Sequence, residues 1–182
     1  MPKEPNAIWL ETGYELFALE GPNGLKIEGL ARKVGKSKSS FYHHFADLEI
    51  FIEKLLSYHH QKAGLIAEQM KNCQSFVPDL LEVLLVAKTD VLFQRQLRIH
   101  RNNRVFRQCF EAAHKPIEAA LLPFWAEVLG LQEQPHLAKI ILNLAVENFY
   151  LRVTAESFES EWMLSYLNEI RFLVREMTRH RK

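Results

Sequence analysis

The chain has 182 residues, 48% of them hydrophobic and 25% charged, with 23 basic against 22 acidic residues and a formal net charge of +1. That apolar share excludes a disordered chain, and the near balance of charge excludes a general polycation, so nucleic-acid binding would have to come from a local patch. No leader pattern and no apolar run of membrane-spanning length is legible, which predicts a cytoplasmic protein without a membrane partner.

The spacing of apolar residues predicts an all-α chain of nine to ten helices. They fall at about 5–20, 27–34, 38–44, 48–71, 78–98 (interrupted near Thr89 and Asp90), 101–112, 115–129, 135–154 and 160–179. Prolines 78, 116, 123 and 135 sit where helices are expected to begin or break. In the first segment with functional content, Ile27, Leu30, Ala31 and Val34 form one apolar stripe. Gly35 follows, a residue that ends a helix by taking the left-handed conformation without steric penalty. Ser37 is then placed to cap the next helix. That helix turns Phe41 and Phe45, four residues apart, to one side and leaves Lys38, Ser39, Tyr42 and His43 on the others.

Two short helices joined by a tight turn are the unit that lays the N-terminal part of its second helix in a major groove. Charge agrees locally. Arg32, Lys33, Lys36 and Lys38 place four cations in seven residues with no acid between them, although residues 1–60 carry seven basic residues and eight acids. The positive field is therefore focused on the turn, where phosphates would lie. Gly29 inside the first helix should cost about 1 kcal/mol relative to Ala, and close helix packing is the expected reason for it.

The stretch from about Ala7 to Phe51 resembles the DNA-binding domain of the tetracycline-repressor (TetR/AcrR) family. The resemblance is carried by Leu30-Ala31, Val34-Gly35, Ser37, Ser39-Ser40-Phe41-Tyr42, His44-Phe45, Asp47 and Glu49. It implies DNA contacts at Lys26, Lys36, Ser37, Lys38, Ser39, Ser40, Tyr42, His43 and His44. Lys38 and His43 are the candidates for base edges, and Tyr42 and His44 match positions that hold phosphates. The chain departs from the family where a lysine usually precedes Glu49: here that residue is Leu48. Lys26 and Ile27 stand where the family often has Ser or Thr.

The expected division is a helix-turn-helix head over residues 1–47 and a sensing and dimerising helical bundle over 48–182. No flexible linker separates them, so movement in the body could reach the head. His59 and His60 are expected on the exposed side of the connecting helix, and Cys73 and Cys109 as buried thiols in a reducing compartment. Aromatic and basic residues in the middle of the chain suggest an effector pocket from Phe93, Arg98, Phe106, Phe110, His114, Trp125 and Asn148. Aromatics at helical spacing are more often core, and arginines stepping by three drift around a helix. The last two helices are apolar on more than one face. A dimer seam is expected from Ile141, Phe149, Met163, Tyr166, Leu167, Ile170, Val174 and Met177.

No nucleophile–base arrangement, phosphate loop or metal-ligand spacing is present in the sequence, so neither catalysis, cofactor nor metal is expected. The reading is a homodimeric transcription regulator on a near-palindromic operator of double-stranded DNA, a repressor released by a small-molecule effector. The alternative is a helical small-molecule-binding or protein-interaction module that has lost DNA binding. Operator, effector and target genes are not legible.

Overall fold

The structure, a computed structural model, describes residues 6–179. Among these there are nine α-helices and no strand: α1 (Ala7–Glu20), α2 (Ile27–Val34), α3 (Lys38–His44), α4 (Leu48–Lys71), α5 (Leu81–Val86), α6 (Lys88–Ile99), α7 (Arg104–Leu129), α8 (Pro135–Arg152) and α9 (Ser160–Arg179). Short turns of helix over Pro22–Gly24 and Phe76–Leu80 join α1 to α2 and precede α5. The interruption expected near Thr89 falls slightly earlier, at Ala87. The two helices expected on either side of Pro116 are one. α7 runs through both Pro116 and Pro123. Each proline forfeits one bond to the carbonyl four residues back. Those residues, Ala112 and Ala119, are exposed, so water can take the freed acceptor.

Packing divides the described residues into two compact units, 6–64 with 89–114 and 65–88 with 115–179. The division by packing thus falls within α4 and α7 and after the first residue of α6, whereas the division of roles read from the sequence lies between residues 47 and 48.

In the first unit the core is aromatic. Phe41 is fully buried and meets Trp9 at 5.4 Å, Phe45 at 5.2 Å and Phe51 at 5.4 Å between ring centroids. Gly13 on α1 makes room for this cluster: a Cβ there would lie 2.4 Å from Phe51 Cζ. Further along, Phe93 of α6 stacks on Tyr14 at 4.3 Å and on His59 at 4.5 Å, and packs against Phe17. His59 is therefore not on an exposed side: it is 2% exposed, while His60 faces water. Adjacent residues of a helix point apart, and α4 turns the first of the pair inward.

A polar cluster accompanies that ring stack. The Tyr14 hydroxyl lies 2.8 Å from Asp90 Oδ1 and 2.6 Å from His59 Nδ1, two acceptors that share its single proton. Lys62 Nζ stands 3.0 Å from Asp90 Oδ1 and 4.7 Å above the Tyr14 ring. The Gln94 amide nitrogen donates to Phe110 O at 2.9 Å, which leaves Gln94 Oε1 facing His59 Nε2 at 2.6 Å. A carbonyl oxygen only accepts, so His59 carries a proton on Nε2. Burial drives the His59 pKa down to about 4, against the weaker pull of its bond to Gln94 and of Asp90. The same burial, reinforced by Asp90, raises that of the Tyr14 phenol far above its usual range. These bonds join α1, α4, α6 and α7 within the unit.

In the second unit, Trp125, Leu129, Leu131, Ala138, Leu142, Ala145, Leu167 and Val174 form one cluster, and Ala67, Met70, Leu80 and Ala120 another. The Tyr166 hydroxyl of α9 donates to Ala145 O of α8 at 2.5 Å, and burial pushes its pKa up to about 12. Arg152 forms a two-pronged pair with Glu169 at 2.6 and 3.2 Å, which fastens the same two helices at the surface.

Candidate nucleic-acid interface

The turn between α2 and α3 is built as its residues require. Gly35 adopts φ 69°, ψ 32°, and the amides of Gly35 and Lys36 return to the carbonyls of Arg32 and Ala31. Ser37 Oγ accepts the Ser40 amide at 3.1 Å and so caps α3. Asp47 Oδ1 accepts the Ile50 amide at 2.8 Å and starts α4 in the same manner. Leu30, Ala31, Val34, Phe41 and Phe45 turn inward. Sequence periodicity alone dictates that choice of face, and it leaves a polar outer face on α3.

On that outer face Lys38, Ser39, Tyr42 and His43 are exposed, and His44 and Ser40 are half-buried. Lys26 and Lys36 are exposed at the start of α2 and at the turn. Ser37 is exposed too, but its hydroxyl is already engaged as the cap. The surface contains long donors, small hydroxyls, an aromatic edge and cations on one short helix and its preceding turn. That set is able to hold phosphates by charge and to reach base edges by hydrogen bonds.

One side chain on this surface was not anticipated. Glu28, on the first turn of α2, accepts a hydrogen bond from Lys38 Nζ at 2.6 Å. The bond to Lys38 holds the Glu28 carboxyl below its ordinary pKa, and the bond to Glu28 raises that of Lys38. Ten residues separate the pair, so no helical spacing rule would have matched them.

The expected effector residues are divided between the two units. Phe93, Phe106 and Phe110 are buried core rings of the first unit, and Arg98 lies half-buried 4.9 Å over the Phe110 ring. His114 stacks on Phe110. Trp125 belongs to the core of the second unit, and Asn148 is exposed. Large rings at helical spacing filled the core because that removes the most apolar surface from water. A different feature stands out at Trp125. Its indole N–H is buried without a hydrogen-bond partner, an arrangement that carries a free-energy penalty unless an acceptor is supplied.

The expected dimer seam is likewise redistributed. Met163, Tyr166, Leu167 and Val174 are buried inside their own unit, and Ile141, Phe149 and Ile170 are half-buried. Of the eight residues only Met177 is well exposed, at 68%. On these two helices the large apolar residues left in water are Ile140, Leu144 and Leu151 of α8 and Phe172, Leu173 and Met177 of α9. Both cysteines are half-buried rather than buried, and burial pushes the Cys109 thiol up to about 11, away from reactivity. No helix among the described residues is long and apolar enough to cross a membrane.

Residues 10–51 match the bacterial regulatory proteins of the tetR family. Over nearly the whole chain, the fold is similar to the crystal structure of a transcriptional regulator of the TetR/AcrR family from Aquifex aeolicus VF5. The two are 22% identical with a TM-score of 0.56, over 96% of this chain and 98% of that one. A structure of a Rhodococcus sp. protein assigned to the TetR family of transcriptional regulators is 19% identical, with a TM-score of 0.46 over 92% of this chain and 96% of its own. None of the curated proteins matches the chain.

Proposed function

We propose that this chain, whose residues 10–51 match the bacterial regulatory proteins of the tetR family, is a DNA-binding transcriptional regulator and acts as a repressor. It binds a near-palindromic operator as a homodimer and is released by a small-molecule effector. The observation that carries the reading is the polar face of α3, with Lys38, Ser39, Tyr42 and His43 exposed over a buried Phe41 and Phe45. In this reading Lys38 and His43 reach base edges, and Tyr42, His44, Lys26 and Lys36 hold phosphates. Ser37 contributes through the cap that sets the start of the helix.

Two chains per operator are favoured by the six exposed apolar side chains on α8 and α9, since soluble monomers seldom leave such a surface in water. A two-fold pair of heads then places two recognition helices one helical turn apart on DNA, or a multiple of that. For the effector, the unpartnered Trp125 N–H in an apolar core favours a ligand that brings one acceptor and otherwise apolar surface. Ligand binding that alters the spacing of the two heads would lower operator affinity.

Selection of bound duplexes from a random pool, followed by titration of the recovered site and a scrambled control across a salt series, tests the reading. A single recovered site with dyad symmetry, two chains per duplex and a steep log–log salt dependence is expected. Equal and weak binding to both duplexes would remove the regulator function. Effector release is tested by adding candidate ligands to the complex while following Trp fluorescence and DNA occupancy together.

A further inference from the structure

The Glu28–Lys38 pair sits where a carboxylate is least expected. Both side chains are well exposed, 67% and 56%, and an exposed pair of this kind adds little to stability. An acid in the first turn of α2 suits the helix dipole, but that needs no partner on α3. An anion beside a phosphate-binding face also opposes binding to every duplex alike. The fold therefore does not account for the pair, and general DNA affinity would be better without it.

Lys38 is a point charge on a flexible four-carbon stem with three N–H donors. Left to itself, such an ammonium settles on the nearest phosphate. Phosphates are the same at every site, so that contact adds affinity without sequence information. Glu28 takes one of the three donors at 2.6 Å and fixes the ammonium at the N-terminal end of α3. Two donors remain, and a guanine edge in the major groove offers two acceptors, O6 and N7. We propose that Glu28 is a positioning and specificity-determining residue: by holding one proton of Lys38 it keeps the ammonium off the phosphates and aims its other two donors at a guanine edge. This rests on the assignment of Lys38 to a base edge made above.

The test is Glu28→Ala, which removes both the charge and the acceptor, read in the full-length protein on the selected operator and on a scrambled duplex over a salt series. A thermal melt confirms the fold. The same substitution is made in a Lys38→Ala background, so that the coupling between the two residues is isolated. The expected result is a fall of about tenfold in the ratio of operator to scrambled affinity. On the scrambled duplex the log–log salt slope should steepen by about 0.9, one additional phosphate contact. Neither change should occur in the Lys38→Ala background. Three results overturn the proposal. No change on either duplex would make the pair a surface contact only. An equal gain on both duplexes that persists without Lys38 would make Glu28 a general repulsive charge. A loss of operator affinity that persists without Lys38 would make Glu28 itself a base contact. The scrambled-duplex slope needs no operator, and a wild-type protein that shows no preferred site at all would sink the regulator reading instead.

Discussion

Lowering the pH should unfold this protein partly through one buried imidazole. His59 is 2% exposed, between Tyr14, Gln94 and the Phe93 ring. Its folded pKa lies at about 4 against an ordinary 6.5. A histidine with a depressed folded pKa is neutral in the fold and charged in the unfolded chain between those two values. The unfolded state then binds more protons, so stability falls as pH drops through 6.5 and stops falling below about 4. At 1.36 kcal/mol for each pH unit, this group accounts for at most about 3 kcal/mol of lost stability over that window. The groups that face it are Asp90 and Lys62, which oppose each other, with Tyr14 and the more distant His60. The assay is urea unfolding at pH 7, 6, 5 and 4 for the wild type and for His59→Gln, which cannot titrate. The variant should start less stable at pH 7, having lost an inward-facing ring and its bonds. Its stability should then fall less steeply with acid than that of the wild type, the two curves converging by about 3 kcal/mol. Exposed carboxylates contribute equally to both and cancel. Parallel curves over the whole window would show that His59 does not titrate as a buried neutral group, and the argument from its burial would be wrong.

The two interior glycines of the head should respond oppositely. A Cβ at Gly29 meets nothing within 4 Å, so Gly29→Ala should stabilise by about 1 kcal/mol and raise the melting temperature by about 2–4 °C. Close helix packing was the expected reason for this glycine, and a destabilised variant would restore it. Gly13→Ala places a Cβ 2.4 Å from Phe51 Cζ and should destabilise by about 1–3 kcal/mol, seen as a lower urea midpoint. Lys38→Ala should weaken operator binding by about 1–3 kcal/mol, with a smaller effect on a scrambled duplex. Equal losses on both would reassign Lys38 to a phosphate. Leu144→Glu with Leu151→Glu, at side chains 67% and 79% exposed, should leave the melt nearly unchanged and yield monomers in sedimentation. Unaltered dimers would place the interface elsewhere.

The recognition unit was legible in the chain because its signals are local. Gly35 after an apolar stripe, Ser37 as a cap, and Phe41 with Phe45 one turn apart each act over a few residues. The helices expected at 27–34, 38–44, 48–71 and 160–179 have those bounds in the structure. What tertiary structure alone decided involves choices that local signals leave open. Periodicity marks His59 and His60 as neighbours on one helix, and only the rings of α1 and α6 decide that the first is inside. α8 and α9 carry apolar residues on several faces, so their spacing could not say which face turns inward. Packing against Trp125, Leu129 and Leu131 decided it and left Leu144, Leu151 and Phe172 in water. Pro116 reads as a break in any window of sequence, yet a helix tolerates it where the orphaned carbonyl can reach solvent. Glu28 and Lys38 lie on different helices, ten residues apart, and meet only because the turn at Gly35 folds α3 back across α2.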